Sequence, residues 1–193
     1  GFLNRKAWDL TTLQEDTSNS YLIIDEAHLI PSRAINYLSR SLRLRKTIEG
    51  LDKELGGKPD EKIENTIYLL NKILNSLIEK IRNSKEKSMC YRYNDFCFEY
   101  KKVATEIILS GKKVFNLMEL RQELLKFKSE EDNYIKSSAE KFIRFLDFWQ
   151  QYDNDKNYNP FFSYIKGYKD KKEEIELKVI CANPSDYLSK IWG

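Results

Sequence analysis

Apolar residues recur at three- and four-residue steps through most of the chain, which predicts amphipathic helices. One such pattern follows Pro31 and ends at Gly56-Gly57-Lys58-Pro59, a run that does not continue a helix. A second pattern begins after Asp60, whose side chain is expected to cap the new helix. Further helices are predicted over residues 116–128 and 131–152. The middle of the chain is therefore predicted to be largely helical.

Strand-like patterns lie near both ends of this helical block. Residues 21–24 form a short apolar run after a polar loop, which fits a strand buried on both faces, as in a parallel sheet. Residues 175–181 alternate apolar and polar side chains and predict another strand, and Ser185 is expected to cap a last short helix. Residues 161–168 are predicted to be extended. Within residues 89–110, the aromatic side chains at 91–100 lie mostly two apart, which favours a strand or extended segment over a helix. The later half of that stretch is compatible with either.

The composition fits a folded, helix-rich protein and changes this picture little. Of 193 residues, 41% are hydrophobic and 33% are charged, which argues against wholesale disorder. No apolar run approaches the roughly 20 residues that a membrane-spanning helix needs, so no membrane partner is expected. We expect a cytoplasmic location, or a nuclear one if the source is eukaryotic. The net charge is only +3, so binding to nucleic acid would depend on local clusters of basic residues.

Three cysteines and the first residue add two further expectations. Cys90, Cys97 and Cys181 are few and odd in number, which fits reduced thiols better than a disulfide framework or a metal site. The chain begins with Gly1 rather than methionine, so we expect it to be a piece of a longer protein.

The clearest chemical signal is the sequence Asp25-Glu26-Ala27-His28, directly after the apolar run. An aspartate at the carboxyl end of a buried parallel strand points into the crevice where α/β proteins bind ligands, and in P-loop NTPases it helps to hold Mg²⁺. Glu26 is then placed to orient or deprotonate the water that attacks the γ-phosphate, and His28 to relay the nucleotide state. The alternative is a strand that ends in a helix cap, with Asp25 as the N-cap residue.

Residues 21–30 resemble the nucleotide-hydrolysis motif of superfamily-two helicases of the XPD and DinG group. Three other segments are similar to parts of that family. Phe2-Leu3 with Trp8-Asp9-Leu10 resembles the segment before the acidic motif, and residues 39–48 resemble the basic segment that leads into the arch domain. Residues 179–185 resemble the strand and turn where the chain re-enters the first motor domain, although Asn183 replaces the usual aspartate.

This resemblance implies a fold and a domain organisation. The fold would be mainly α: a helical arch-type insertion with a few short strands, flanked by strand-containing pieces of a P-loop NTPase α/β motor domain. Residues 1–45 would belong to motor domain 1 with the acidic motif, residues 46–170 to the arch, and residues 171–193 to the return into motor domain 1.

The resemblance also implies an activity, cofactors and partners. The parent protein would be an ATP-dependent 5′–3′ DNA helicase, in a family usually associated with DNA repair, and its partners would be single-stranded DNA and the remaining helicase domains. Asp25 and Glu26 would bind ATP, Asp25 would hold Mg²⁺, and both would act in catalysis with His28. The iron–sulfur cysteines of the family would lie upstream of Gly1. No phosphate-binding Gly-x-x-x-x-Gly-Lys-[Ser/Thr] loop is present, so this chain alone is not expected to hydrolyse ATP.

Three clusters are candidates for contact with nucleic acid, because basic groups neutralise phosphates and exposed aromatics stack on bases. The first is formed by Arg40, Arg43, Arg45 and Lys46. The second places Tyr91, Arg92 and Tyr93 beside Arg82, Lys85 and Lys87, and the third consists of Lys101, Lys102, Lys112 and Lys113. The alternatives are that these charges lie on solvated helix faces and that the aromatic side chains fill a core.

Two other functions remain open from the sequence. One is a stand-alone helical module that binds protein or nucleic acid, with a coincidental acidic motif whose Asp25 and Glu26 cap a helix. The other is a nuclease-like enzyme with scattered carboxylates, although no second acid pair supports it.

Overall fold

The structure is a computed structural model that describes residues 27–55, 60–126, 137–167 and 172–192. The predicted strand over residues 21–24 and the acid pair Asp25–Glu26 lie outside these residues. After a 3-10 turn at Ala27–Leu29, the described helices are α1 (Ile30–Leu38), α2 (Leu44–Leu55), α3 (Glu61–Ser84), α4 (Tyr93–Leu109), α5 (Leu117–Leu125), α6 (Ser138–Tyr152) and α7 (Ser185–Trp192). The strands are β1 (Arg40–Arg43), β2 (Ser88–Cys90), β3 (Tyr158–Ile165) and β4 (Glu174–Cys181). The prediction of a mainly helical chain with a few short strands is confirmed.

The four strands form one antiparallel sheet in the order β1-β4-β3-β2. Along β4 the alternate side chains of Ile175, Leu177, Val179 and Cys181 are buried, as the sequence pattern predicted. The helices α1, α2 and α3 contact β4, and α6 contacts β1. The sheet is therefore the base on which the helices rest.

The core lies between the 24-residue helix α3 and the shorter helices around it. Its centre is aromatic: Trp149 is only 1% exposed and its ring lies within 6.0 Å, centroid to centroid, of the rings of four neighbours. These neighbours are Tyr91, Tyr93, Phe96 and Phe145. Burial of so much aromatic surface makes this cluster a large part of the hydrophobic stabilisation.

Two predictions about local structure were wrong. The helical pattern after Pro31 is interrupted, because residues 40–43 pair as a strand with residues 176–179 of β4. Pairing in the sheet overrides a helical periodicity that seven apolar positions between residues 34 and 55 supported. The predicted extended segment at 91–100 is instead mostly helix, since α4 begins at Tyr93 and only β2 precedes it as a strand.

The helical register of α4 explains this second correction. Phe96, Tyr100, Val103 and Ile107 are buried at three- and four-residue spacing, whereas Phe98 is 72% exposed. The aromatic residues that lie two apart in the sequence therefore do not form one face of a strand. Most of them belong to the buried face of α4, and Phe98 is exposed. The Asp95 carboxylate accepts from the Arg92 backbone N–H at 2.8 Å, which helps the helix to begin there.

The chain enters and leaves this body through neighbouring strands. The incoming strand β1 pairs antiparallel with the outgoing strand β4, from Arg40 opposite Val179 to Arg43 opposite Glu176. Just outside this pairing, the Cys181 backbone N–H donates to the Ser39 hydroxyl at 2.9 Å. The sheet thus joins strands from all three predicted segments, 1–45, 46–170 and 171–193. The boundaries between these segments stay predictions. Within the described part of the chain, no helix is long and apolar enough to cross a bilayer.

Candidate nucleic-acid interface

A basic groove of about 400 Å³ lies between β1, α2 and α6. Five cationic side chains line it: Arg40, Arg43, Lys46, Lys141 and Arg144. Its remaining walls are formed by Ser41, Leu42, Thr47, Ser138 and Phe145. Among the described residues, no carboxylate lines this groove, so it concentrates positive charge on a chain whose net charge is only +3.

The groove runs beside an edge strand, which adds hydrogen-bonding capacity to its charge. In the described sheet β1 has one neighbour, β4, so the opposite edge of β1 pairs with no described strand. Edge N–H groups of this kind are free to donate to another acceptor. Helix α6 lies next to β1 and supplies the facing wall.

The position of α6 is set by its close approach to α2. Gly50 lies where a Cβ atom would overlap the Ser138 Oγ and stand 2.7 Å from the Ser138 Cβ, a distance that real Cβ contacts do not reach. The Glu54 carboxylate accepts from the backbone N–H groups of Ser138, at 2.6 Å, and Ala139, at 3.0 Å. A carboxylate at a helix N-terminus satisfies free donors and complements the helix dipole. These contacts hold Lys141 and Arg144 opposite the cations of β1 and α2.

The groove cations differ in whether they already contact carboxylates, backbone carbonyls or aromatic rings of the chain. Within the described residues, no carboxylate lies within 4 Å of the side-chain nitrogens of Arg43, Lys46 or Lys141. Arg144 forms an ion pair with Glu140 at 2.6 Å. The Arg40 guanidinium donates to backbone carbonyls at 2.7 and 2.8 Å and lies over an aromatic ring. Three cations are therefore available for an anionic ligand without breaking an ion pair.

Arg45, which the sequence grouped with these residues, has a different role. Its backbone N–H donates to the Glu174 carboxylate at 2.7 Å, and its Nε donates to the Glu173 carbonyl. Arg45 therefore ties α2 to the start of β4. It lines a second cleft of about 400 Å³ that shares Arg43 and Lys46 with the groove and also contains Lys166 and Lys172, together with two glutamates.

The second predicted cluster is divided by the fold. Tyr91 and Tyr93 are 4% and 8% exposed, and both rings pack against Trp149, so neither presents a face on which a base could stack. Burial raises the pKa of the Tyr93 hydroxyl to about 12. Burial, followed by the nearby Glu99 carboxylate, also raises the pKa of Tyr91.

The basic members of that cluster lie at its surface. Arg92 is exposed and its guanidinium stands 3.5 Å from the Asn154 side-chain oxygen. Arg82 forms an ion pair with Glu173 at 2.5 Å, and Glu173 also accepts from the Tyr164 hydroxyl. Lys85 and Lys87 are exposed. The structure therefore does not bring these residues together into a groove like that of β1, α2 and α6.

The catalytic residues implied by the acidic motif are only partly within the described chain. Asp25 and Glu26 lie outside it, and His28 is exposed in the 3-10 turn Ala27–Leu29 that precedes α1. Among the residues that the structure describes, no group of three or more His, Cys, Asp or Glu side chains could hold a metal ion. The predicted roles in binding ATP and Mg²⁺ stay predictions.

Sequence reasoning missed Lys141 and Arg144. They lie about a hundred residues from the Arg40–Lys46 run, and on a helical pattern they look like ordinary solvent-facing charges. Their spacing of three residues was a signal that they share a helix face. Which element that face meets depends on the tertiary structure.

In comparisons with protein-family models, with curated proteins and with solved structures, nothing matched this chain.

Proposed function

We propose that this chain belongs to an ATP-dependent 5′–3′ DNA helicase of the XPD and DinG type, to which it contributes the acidic motif and an inserted, mainly helical arch. The observation that carries the proposal is the pairing of β1 with β4. A domain inserted into another must leave close to where it enters, and adjacent antiparallel strands achieve this. The acidic motif lies shortly before β1, where the resemblance requires it.

In this proposal the catalytic residues act together with parts of a larger machine. Asp25 would hold Mg²⁺ and Glu26 would orient the attacking water, while another segment supplies the loop that cradles the phosphates. The arch would guide single-stranded DNA.

The basic groove supports the DNA-guiding role. Its cations fit phosphate groups, and contacts of this kind carry no sequence information. For single strands the logarithm of affinity falls by about 0.7 per phosphate contact for each unit of log salt concentration. Contacts from the three available cations, Arg43, Lys46 and Lys141, would therefore weaken binding about 20-fold between 50 and 200 mM salt.

The first experiment tests the motor. ATP hydrolysis by the parent protein is measured with and without single-stranded DNA, for the wild type and for Glu26→Gln. We expect the substitution to keep ATP binding and to abolish DNA-stimulated hydrolysis. Unchanged hydrolysis would remove Glu26 from its assigned role and, with it, the motor interpretation.

The second experiment tests the groove in this chain. Binding of a fluorescent oligothymidylate is followed by anisotropy for the wild type and for the double variant Arg43→Glu/Lys141→Glu. The control variant Lys101→Glu/Lys102→Glu changes the net charge equally but on α4. We expect at least a tenfold loss of affinity and a shallower salt dependence in the groove variant only. Equal losses in both variants would mean that the groove has no special role and that DNA is attracted by general charge or by the third predicted cluster, to which Lys101 and Lys102 belong.

A stand-alone nucleic-acid-binding module is the second candidate. The observation in its favour is that the groove lies wholly within the described body and needs no nucleotide site. It would be supported if DNA binding depends on Arg43 and Lys141 while Glu26→Gln leaves any ATP hydrolysis unchanged.

A further inference from the structure

Arg40 differs from the other cations of the groove, because the chain itself orients its guanidinium. The Arg40 Nη1 donates to the backbone carbonyls of Tyr37 and Ser39, at 2.7 and 2.8 Å. The guanidinium carbon lies over the ring of Phe148, 5.2 Å from the ring centroid. These contacts hold the planar group in one place, which suits it to a different task from neutralising a phosphate.

The geometry of β1 and α6 brings Arg40 onto this ring. Arg40 and Leu42 are two residues apart, so they point to the same side of β1, and Leu42 is buried. Along α6, which contacts β1, the residues Lys141, Arg144 and Phe148 are spaced by three and four and share a face. The cationic wall of the groove therefore continues along α6 to the ring beneath Arg40.

Two tyrosines support the Phe148 ring. Its centroid lies 4.6 Å from that of the Tyr152 ring and 5.9 Å from that of the Tyr158 ring. The two tyrosine rings stack on each other, with centroids 4.1 Å apart and an angle of 26° between their planes. All three side chains are half-buried. This packing fixes the Phe148 ring and, through it, the guanidinium above.

Arg40 presents its guanidinium to the groove. The residue is exposed and forms part of the groove wall, whereas the Phe148 ring lies behind it. A planar guanidinium with one face on a ring has a second face for another flat group. Nucleobases stack on arginine planes in this way. The end of the groove at Arg40 is therefore a position at which a base can stack.

Carboxylates close to this position in the sequence have other partners. Asp147 precedes Phe148 but forms an ion pair with Arg121 of α5. Asp155 accepts from the Asn157 backbone N–H at 2.8 Å, and Asp186 accepts from the Asn157 side-chain amide at 3.0 Å. Within the part of the chain that the structure describes, Arg40 forms no ion pair with a carboxylate.

We propose that Arg40, supported by Phe148, stacks on a nucleobase of a single strand whose phosphates contact the three available cations. This inference rests on the DNA-binding role proposed for the groove, and it gives Arg40 a task that the other cations do not share. Stacking tolerates any sequence, because every base has a flat face. In a duplex the bases are paired and stacked on one another, so a single strand is the form that offers a free base. An acidic peptide is disfavoured, because its carboxylates carry no such ring.

The test compares the two arginines at the ends of β1, of which Arg40 is expected to stack and Arg43 to contact a phosphate. Binding of fluorescent oligothymidylate to this chain is measured by anisotropy at several salt concentrations, for the wild type, Arg40→Ala, Arg40→Lys and Arg43→Ala. The second ligand is a labelled chain of equal length and charge whose sugars carry no bases. Circular dichroism checks that each variant is folded.

We expect the wild type to bind oligothymidylate about fivefold or more tightly than the chain without bases, as one stacked base would provide. In Arg40→Ala and Arg40→Lys the two affinities should lie within about twofold of each other, because alanine and lysine lack the planar group. Arg43→Ala should keep the preference for bases. Its salt slope should be smaller by about 0.7, whereas Arg40→Ala should keep the wild-type slope.

The outcomes separate the stacking role from the groove itself. Equal affinity of the wild type for both ligands, an undiminished preference in Arg40→Lys, or a smaller salt slope in Arg40→Ala would overturn the stacking role while the groove stands. Arg40→Lys keeps the positive charge and decides the question should Arg40→Ala fail to fold. Undetectable binding of oligothymidylate would overturn the groove and the stacking role together. Thymidine monophosphate or polyglutamate that binds as tightly as oligothymidylate would also overturn the proposal.

Discussion

The close approach of α2 and α6 makes a quantitative prediction about one glycine. In Gly50→Ala the new methyl group would overlap the Ser138 hydroxyl and stand 2.7 Å from the Ser138 Cβ. Rotation of Ser138 about χ1 moves the hydroxyl but leaves its Cβ in place. The two helices must therefore separate by some tenths of an ångström, in the region where they form the basic groove.

The expected magnitude follows from two opposing effects. Alanine in place of glycine inside a helix stabilises it by about 0.5–1 kcal/mol. Overpacking at a well-packed contact costs about 1–3 kcal/mol. We therefore expect Gly50→Ala to be destabilised by up to about 2.5 kcal/mol. In Ser138→Gly the overlapping atoms are absent, and the backbone N–H that donates to Glu54 remains. Adding Gly50→Ala to the Ser138→Gly variant should therefore raise its free energy of unfolding by about 0.5–1 kcal/mol.

A double-mutant cycle measures this difference. Urea unfolding of the wild type, the two single variants and the double variant is followed by circular dichroism at 222 nm. We expect a coupling free energy of about 1–3 kcal/mol between positions 50 and 138. If Gly50→Ala stabilises the wild type as much as it stabilises Ser138→Gly, the two helices do not meet at these residues and the groove is not assembled as described.

Two further predictions concern groups outside the groove. Although burial alone would raise the pKa of Glu99, hydrogen bonds from Ser76, Tyr91 and Lys80 hold it below its usual value of 4.5. The ionised Glu99 carboxylate therefore stabilises the native state. This contribution to the free energy of unfolding is fully present above the unfolded-state pKa and is lost as pH falls through the lower native pKa. In Glu99→Gln the free energy of unfolding should therefore fall less steeply below about pH 4.5. Urea titrations at several pH values check this, and parallel pH profiles for the two proteins would contradict it. Among the three cysteines Cys90 is exposed, whereas burial raises the thiol pKa of Cys97 and Cys181, so a thiol reagent in native buffer should modify one cysteine rapidly and two slowly. Mass spectrometry of the digested protein identifies the rapid site, and rapid modification of Cys181 would show that β4 is less protected than described.

Several elements of the fold could be predicted from the sequence because local interactions specify them. The apolar stripe of α3 is long and regular, and the Asp60 carboxylate accepts from the Lys62 backbone N–H at 2.8 Å, as its capping role predicted. The strand β4 alternates over its whole length. The strand β1 could not be predicted, since its four residues gain their conformation from pairing with β4, whose sequence lies more than a hundred residues away.

The candidate site divides in the same way. The sequence by itself determined that Arg40, Arg43 and Lys46 are close together, because neighbours along a chain remain neighbours in space. Only the tertiary structure decided that Lys141 and Arg144 face them and that Tyr91 and Tyr93 are buried. Local periodicity fixes which residues share a face of a helix, whereas long-range packing, here the contact of α2 with α6 at Gly50, fixes which other element that face meets.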